Sequence, residues 1–343
     1  MPTTRKKPQP DPYPPGWEPF LGAIRAHIDE DTPRVVFADW LEENGDPERA
    51  EFIRLQCDIA NGNTSDTARA DALLDANRKR WIRGFPQVLV DNPERCKFRR
   101  GFVYAVPLKG PQLMKDGAAL ARLTPLEELH LEQVNAQAIQ LPALACVRSL
   151  VMPQATSPLV EGLAKSPVIP TLRKLRLAPV WGARVSQRSV RSVIANPALT
   201  QLRQLRLEAM PVGDIVCAAF AAAPHVTCLE VLELSRTDVT TVGAEALARA
   251  PAAATLRVLS MDGFIGDAGI SHFVRSKHLR QIETLDLRWC QLTNASATML
   301  ADWEGLRTVR RLDLRGNRMG PTARKTISDS PNAINLNEFQ IPG

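Results

Sequence analysis

Along residues 126–314 the hydrophobic positions fall into one recurring pattern, L-x-x-L-x-L, with Val, Ile or Met standing in for some leucines. Eight copies are legible: Leu126/Leu129/Leu131, Val147/Leu150/Met152, Leu172/Leu175/Leu177, Leu202/Leu205/Leu207, Leu229/Leu232/Leu234, Leu256/Leu259/Met261, Ile282/Leu285/Leu287 and Val309/Leu312/Leu314. Their first positions lie 21, 25, 30, 27, 27, 26 and 27 residues apart. A period in this range signals stacked supersecondary units, each burying its apolar face against the next. The L-x-L alternation puts two side chains on one face of a strand, and a helical pattern follows about a dozen residues later, as at 242–249 and 295–303. One strand and one helix per unit predict a parallel sheet with helices on one side. The uneven spacing of the second and third copies predicts irregularity between about residues 134 and 185.

Before the repeats the periodicity changes to helical. Trp17, Phe20, Leu21, Ile24 and Ile28 share one helix face, and Val36, Phe37, Trp40 and Leu41 form a second stripe. Thr32-Pro33 and Asp46-Pro47 read as an N-cap followed by proline at the first helical position, and Asn44-Gly45 as a stop. Phe52, Leu55 and Ile59 mark the inner face of a third helix, and Leu73, Leu74 and Trp81 that of a fourth over about 65–83. Residues 101–106, with Phe102, Val103, Tyr104 and Val106, predict a strand that pairs with the first repeat.

Composition adds bounds. Hydrophobic residues make up 44% of the 343-residue chain but aromatics only 5%, which suits an aliphatic core. The 43 Lys and Arg against 37 Asp and Glu give a formal charge of +6, a mixed surface and not a basic sheath. Six cysteines, Cys57, Cys96, Cys146, Cys217, Cys228 and Cys290, form no C-x-x-C pair and read as reduced thiols of a cytoplasmic protein. The basic, proline-rich start of the chain has no apolar stretch behind it, so neither a signal peptide nor a membrane span is expected.

The string PRVVFADWLEENGDPERAEFIRLQ, residues 33–56, resembles the bacterial repeat-companion domain, a short helical segment that precedes repeats in large paralogous families; RRGFVYAV, residues 99–106, is similar to the strand that bridges it to them. The repeats resemble the ribonuclease-inhibitor class of leucine-rich repeat. The resemblance implies an α/β solenoid: a leucine-rich-repeat horseshoe with a parallel concave sheet and outer helices, preceded by a small helical capping module. The division expected is a disordered basic Pro-rich tail (1–16), the helical companion module (17–85), a linking or capping strand region (86–125), about eight leucine-rich repeats (126–326) and a C-terminal cap (327–343). It implies architecture and no catalytic residues.

Function on such an array lies between the leucines. Read down the stack, the outward positions give a basic belt in repeats three and four, with Lys174, Arg176 and Arg206, then an acidic stripe with Glu233, Asp262, Asp286 and Asp313, interspersed with Arg288, Arg311 and Arg315. Trp289, beside Arg288 at a strand exit, is the best single anchor, since Trp and Arg dominate binding hot spots. Eight strands about 4.8 Å apart and about 16 Å wide offer roughly 550 Å², against roughly 800 Å² for one side of a standard interface. The expected function is that of a non-enzymatic scaffold holding another protein on the concave face. Nucleic-acid binding through the basic belt and in-trans regulation of an enzyme such as a GTPase or protease are the alternatives. No phosphate loop, dinucleotide fingerprint, metalloprotease pair or nucleophile elbow is present, and His27, His130, His225, His272 and His278 have no ligand spacing. No catalytic, metal or cofactor residue and no small-molecule substrate is therefore expected.

Overall fold

The computed structural model describes residues 11–180 and 182–341. The chain divides into two compact units, Met1–Gln133 with Leu141–Val147, and Val134–Gln140 with Arg148–Gly343.

The first unit opens with helices α1 (Glu18–Ala26), α2 (Thr32–Glu43), α3 (Pro47–Ala60), α4 (Thr67–Trp81) and the one-turn α5 (Gln87–Val90). Asp46 caps α3 by accepting the Arg49 N–H at 3.3 Å, and Asp66 caps α4 by accepting the Arg69 N–H at 3.1 Å. At α2 the sequence reading is off by one: Thr32 is already helical, Asp31 is the N-cap, and no side chain caps the turn. The unit's core is aromatic. Phe37 has ring neighbours in Tyr13 (5.4 Å), Phe20 (5.3 Å), Trp40 (5.8 Å) and Phe102 (5.9 Å), while Phe52 stacks on Trp81 at 4.7 Å. Such pairs contribute about 0.5–1.5 kcal/mol each beyond burial.

Two buried guanidiniums sit inside this core. Arg34 donates to the Ile28 carbonyl at 2.8 Å and to that of Glu30, closing the end of α1. Arg49 lies 4.3 Å from the Tyr13 ring centroid, donating to the Tyr13 hydroxyl at 3.1 Å and the Trp81 carbonyl at 3.3 Å. Burial lowers the pKa of both below the ordinary arginine value.

The expected tail at 1–16 is only partly within view, since residues 1–10 lie outside the described residues. From Asp11 onward the reading is corrected. Tyr13 is buried and donates to the Leu123 carbonyl at 3.0 Å, while Asp11 accepts two bonds from Arg122 at 2.7 and 3.2 Å. One buried aromatic with a satisfied hydroxyl outweighs the proline-rich, polar look of this stretch.

Strands β1 (Lys97–Arg99) and β2 (Phe102–Lys109) form an antiparallel hairpin; helix α6 (Gly110–Leu123) follows, and β3 (Glu128–Glu132) lies parallel to β2. Gly101, at φ +85°, sits where a Cβ would lie 2.8 Å from the Ile53 Cα, so the hairpin turn packs on α3 only because it is glycine. Val106 pairs with Leu129 and Leu108 with Leu131. Val103/Val106/Leu108 is thus a further copy of the repeat, with valines in two of its three leucine positions.

The second unit runs β4 (Ser149–Ala155), α7 (Ser157–Leu163), β5 (Lys174–Pro179), α8 (Gln187–Ile194), β6 (Gln204–Glu208), α9 (Gly213–Ala221), β7 (Val231–Thr240), α10 (Thr241–Arg249), β8 (Val258–Phe264), α11 (Gly266–Val274), β9 (Thr284–Asp286), α12 (Asn294–Asp302), β10 (Arg311–Asp313), α13 (Pro321–Ser328) and β11 (Glu338–Gln340). All eight strands are parallel and neighbour one another in chain order. Their central residues form one unbroken register: Leu150, Leu175, Leu205, Leu232, Leu259, Leu285, Leu312 and Phe339. Leu336/Phe339/Ile341 is therefore another unrecognised copy, disguised by its phenylalanine. This is the α/β solenoid of leucine-rich-repeat class. Behind the sheet each helix from α7 to α13 packs on the next.

Polar side chains tie each repeat to its predecessor. Asn196 Nδ2 donates to the Ala164 carbonyl at 2.7 Å and Ser276 Oγ to that of Ala248 at 2.6 Å, satisfying helix-end carbonyls. Asp214 accepts the Thr240 N–H at 2.8 Å and hydroxyl at 2.7 Å; 53 residues on, Asp267 does the same for Thr293 at 2.9 and 2.6 Å. The strongest tie is Asn317. Its Oδ1 accepts the Cys290 and Leu292 N–H groups at 2.9 and 3.1 Å, and its Nδ2 donates to the Leu287 and Leu314 carbonyls at 2.8 and 2.7 Å. This is the role the sequence assigns to Asn317 where the chain leaves the strand. The expected irregularity is real: two short 3₁₀ turns, Ala138–Gln140 and Pro142–Leu144, stand where the repeat after β3 would have its helix.

Candidate protein-binding face

With the leucines turned toward the helices, the alternate residues of β4–β11 line a helix-free face. Lys174 and Arg176 lie on β5, Arg206 on β6, Glu233 on β7, Asp262 on β8, Asp286 on β9, and Arg311 and Asp313 on β10; Arg288, Trp289 and Arg315 follow the ends of β9 and β10. Every residue singled out from the sequence therefore lies in the second unit.

The expected separation into a basic belt and an acidic stripe is corrected by their pairing. Arg176 reaches Glu208 at 3.3 Å, Glu208 also holds Arg236, and Arg206 reaches Glu233 at 3.2 Å. Asp286 binds Arg288 at 2.8 Å and Asp313 binds Arg315 at 2.7 Å, with Arg288 a further 3.6 Å from Asp313. Arg311 forks onto Glu338 through two bonds of 2.7 Å. Residues one repeat apart in sequence sit about 4.8 Å apart across the ladder, so a sign change along the stack brings partners together. Exposed pairs of this kind contribute at most about 1 kcal/mol each. Their effect is to neutralise the face. Burial raises the Asp313 carboxyl, but hydrogen bonds from Arg315 outweigh it and hold the group below its ordinary value; Arg311 does the same for Glu338.

Two carboxylates escape this pairing. At the C-terminal ends of β7–β9 a shallow groove of about 560 Å³ is lined by Asp238, Met261, Asp262, Asp286, Arg288 and Trp289, among others. Asp262 Oδ1 accepts the Arg236 N–H at 2.6 Å, and no ion pair joins it to a cation among the described residues. Burial pushes its carboxyl above the ordinary value, with Asp286 and Asp238 adding to the push, against the backbone N–H groups of Arg236 and Thr237. Asp238 is exposed, in the left-handed region at φ +57°, and has no ion pair among the described residues.

Trp289 forms the other wall. It is 68% exposed, whereas the other exposed large hydrophobic residues among those described are aliphatic apart from Phe264. Its backbone is left-handed, φ +58°, an uncommon state for a bulky residue, fixed by its N–H donating to the Arg315 carbonyl at 3.1 Å. A Cβ on Gly316 would lie 2.4 Å from Trp289 Cδ2 and 2.7 Å from Cε2, so the indole rests on the bare Gly316 backbone. The sequence flags Trp289 but not its seat, and it misses Arg236, Asp238 and Glu208 as participants. Asp238 lies in the far end of β7, which runs longer than its neighbours β6 and β8, so no position in the repeat pattern marks it.

Among the described residues no group of His, Cys, Asp and Glu could hold a metal ion, and no helix is long and apolar enough to cross a membrane. Burial pushes Cys57 and Cys96 up to about 12, and Cys217 and Cys290 higher for the same reason, as expected of thiols packed in the core.

A leucine-rich-repeat family model matches residues 225–248, 278–301 and 305–328. No curated protein matches the chain. Among solved structures, an internalin (inlF) of Listeria monocytogenes is similar at 17% identity over 70% of this chain and 60% of its own, with a TM-score of 0.42; this chain thus spans three-fifths of that internalin chain. The yeast Rad7 and Elc1 complex matches at 15% identity, 90% and 82% coverage and TM-score 0.47. The leucine-rich-repeat domain of the type III effector XopL (XCV3220) matches at 15% identity, 95% coverage of each chain and TM-score 0.32. The chain carries leucine-rich repeats.

Proposed function

We propose that this protein is a non-enzymatic scaffold that holds another protein on the helix-free face of its repeats. The observation that carries the reading is that, among the described residues, this face of the repeats is left uncovered by helices, with side chains held in fixed ladder positions and most charges paired. A pre-paired surface of this type loses little on desolvation compared with isolated charges, and its polar groups set orientation and partner choice. The repeats are of the ribonuclease-inhibitor type, preceded by a bacterial repeat-companion module over residues 17–85. The repeats of 126–326 are flanked by a linking region, 86–125, and a terminal segment, 327–343, each of which carries one further copy of the repeat. Six unbridged cysteines suit a reducing, cytoplasmic setting.

The test is affinity capture from the native host, with the wild-type chain beside a variant carrying Arg176→Glu, Arg206→Glu, Asp286→Lys and Asp313→Lys. Captured proteins are identified and then re-tested as purified pairs. The reading expects one protein that binds the wild type directly and is lost from the variant at unchanged thermal stability. Equal binding by both chains contradicts it.

A further inference from the structure

We infer that the groove between Asp238, Asp262 and Trp289 is the specificity pocket of this face, and that it takes an arginine side chain from an extended, cationic segment of the partner. The inference rests on the scaffold reading above and narrows it to one chemistry.

Three independent features converge. The first is charge. The arginines that line the groove are committed elsewhere, Arg236 to Glu208 and Arg288 to Asp286 and Asp313, whereas Asp238 and Asp262 form no ion pair among the described residues. The groove is thus a local negative site on a face where, Lys174 apart, the other charges singled out are paired. The second is geometry. Asp262 Oδ1 accepts the Arg236 N–H, and the backbone N–H of Thr237 also bonds the carboxylate, so its plane is fixed on the groove wall before anything binds. Burial and the neighbouring Asp286 and Asp238 carboxylates make its negative charge costly, a cost that an incoming cation relieves. The third is the indole. Trp289 lies with one side on Gly316 and is 68% exposed, a flat π-surface already held in place before anything binds. A guanidinium is planar, weakly hydrated and forked. It can stack on an indole while its N–H groups reach a carboxylate, which an ammonium cannot do as well. An aliphatic or anionic side chain would meet the same wall without satisfying either aspartate.

The arginine must come from an extended segment, because the groove is shallow and continuous with the open sheet face; Ser235, Ser260 and Gly263 line it without closing it. Main-chain atoms of such a segment can run along the strand ends while the side chain enters.

The probe is a blocked peptide, acetyl-Ser-Gly-Arg-Gly-Arg-Gly-Ser-amide, with a control in which citrulline replaces both arginines and so keeps the shape without the charge. The readout is the indole N–H resonance of Trp289 in the full-length chain, assigned by its loss in W289F. The arginine peptide is expected to shift it saturably at low salt, and the citrulline peptide to leave it in place. The double variant D238N/D262N, in which residue 262 keeps its acceptor for the Arg236 N–H, should weaken the arginine response about tenfold, the scale of a lost charged contact at a binding hot spot. An equal response to citrulline, an undiminished response in D238N/D262N, or no response to the arginine peptide overturns the inference. If the peptide experiment fails while charge reversal on the open face still abolishes partner capture, only this inference falls. If capture is insensitive to charge reversal, the scaffold reading falls whatever the peptide does.

Discussion

The two units solve the problem of a stable core in different ways. The first concentrates its aromatic residues around Phe37 and around the Phe52–Trp81 stack, with buried Arg34 and Arg49 satisfied by carbonyls, a hydroxyl and ring faces. The second buries almost only Leu, Val, Ile, Met and Ala, and closes each repeat with one polar side chain reaching to the previous one. An aromatic core with a centre depends on a few irreplaceable side chains. An aliphatic stack depends on none of its leucines uniquely, because each contacts only its neighbours, but it depends heavily on the polar residues that terminate every strand and helix. Freed from packing duties, the outward positions of the stack can vary, and that is where the binding face is built.

The sharpest way to break this comparison is Trp81→Ala. Loss of the Phe52 stack and of the indole face 5.5 Å from the Arg49 guanidinium should destabilise the first unit by about 3–5 kcal/mol in urea unfolding. A loss below 1 kcal/mol would remove the claim that this unit has a centre. Next in size is Asn317→Ala, which strands two N–H groups and two carbonyls and should cost about 3 kcal/mol. That falls within the range of a single leucine truncation, Leu232→Ala at about 2–5 kcal/mol; if Asn317→Ala were neutral, the polar ties would be ornament. Tyr13→Phe comes third. It deprives both Arg49 and the Leu123 carbonyl of a partner and should cost about 1–3 kcal/mol, measurable as an earlier urea midpoint with unchanged slope.

The smallest effect is Asp262→Asn, and its sign is informative. The folded carboxyl has a raised pKa, so the native state holds the proton more tightly than the unfolded chain does. Stability therefore falls as pH rises through the interval from the unfolded value, near 4, up to the folded one. Asparagine removes that dependence, so at neutral pH the variant should match or slightly exceed the wild type, within about 1 kcal/mol, while binding arginine more weakly. A variant that is much less stable at neutral pH would show Asp262 to be structural.

Much of this was legible in the sequence, for reasons that differ by level. The leucine pattern carries the strand face directly, because burial enforces it at every repeat. The same signal fails at both ends, where Val106 and Phe339 occupy the central position and the copies they belong to pass as caps. The proline-rich appearance of Asp11–Gly16 concealed one tyrosine that decides its packing. At the binding face, the charged residues themselves could be read, but their pairing could not. Whether Arg206 meets Glu233 depends on register across strands, which one-dimensional columns list without distance. Trp289 stood out by its type, while its seat on Gly316 and its neighbour Asp238 follow from left-handed turns that leave no periodic trace.

The central claim is that the helix-free face binds a partner and that the Trp289 groove anchors it. Its most direct measurement is the calorimetric affinity of the captured partner for three forms of the chain: wild type, Trp289→Ala, and Arg249→Ala on the outer surface of α10. A hot-spot anchor predicts a loss of about thirtyfold for Trp289→Ala, corresponding to about 2 kcal/mol, and less than about twofold for Arg249→Ala. Unchanged affinity in Trp289→Ala, with the loss falling on Arg249→Ala, would contradict the account and move the interface to the helices.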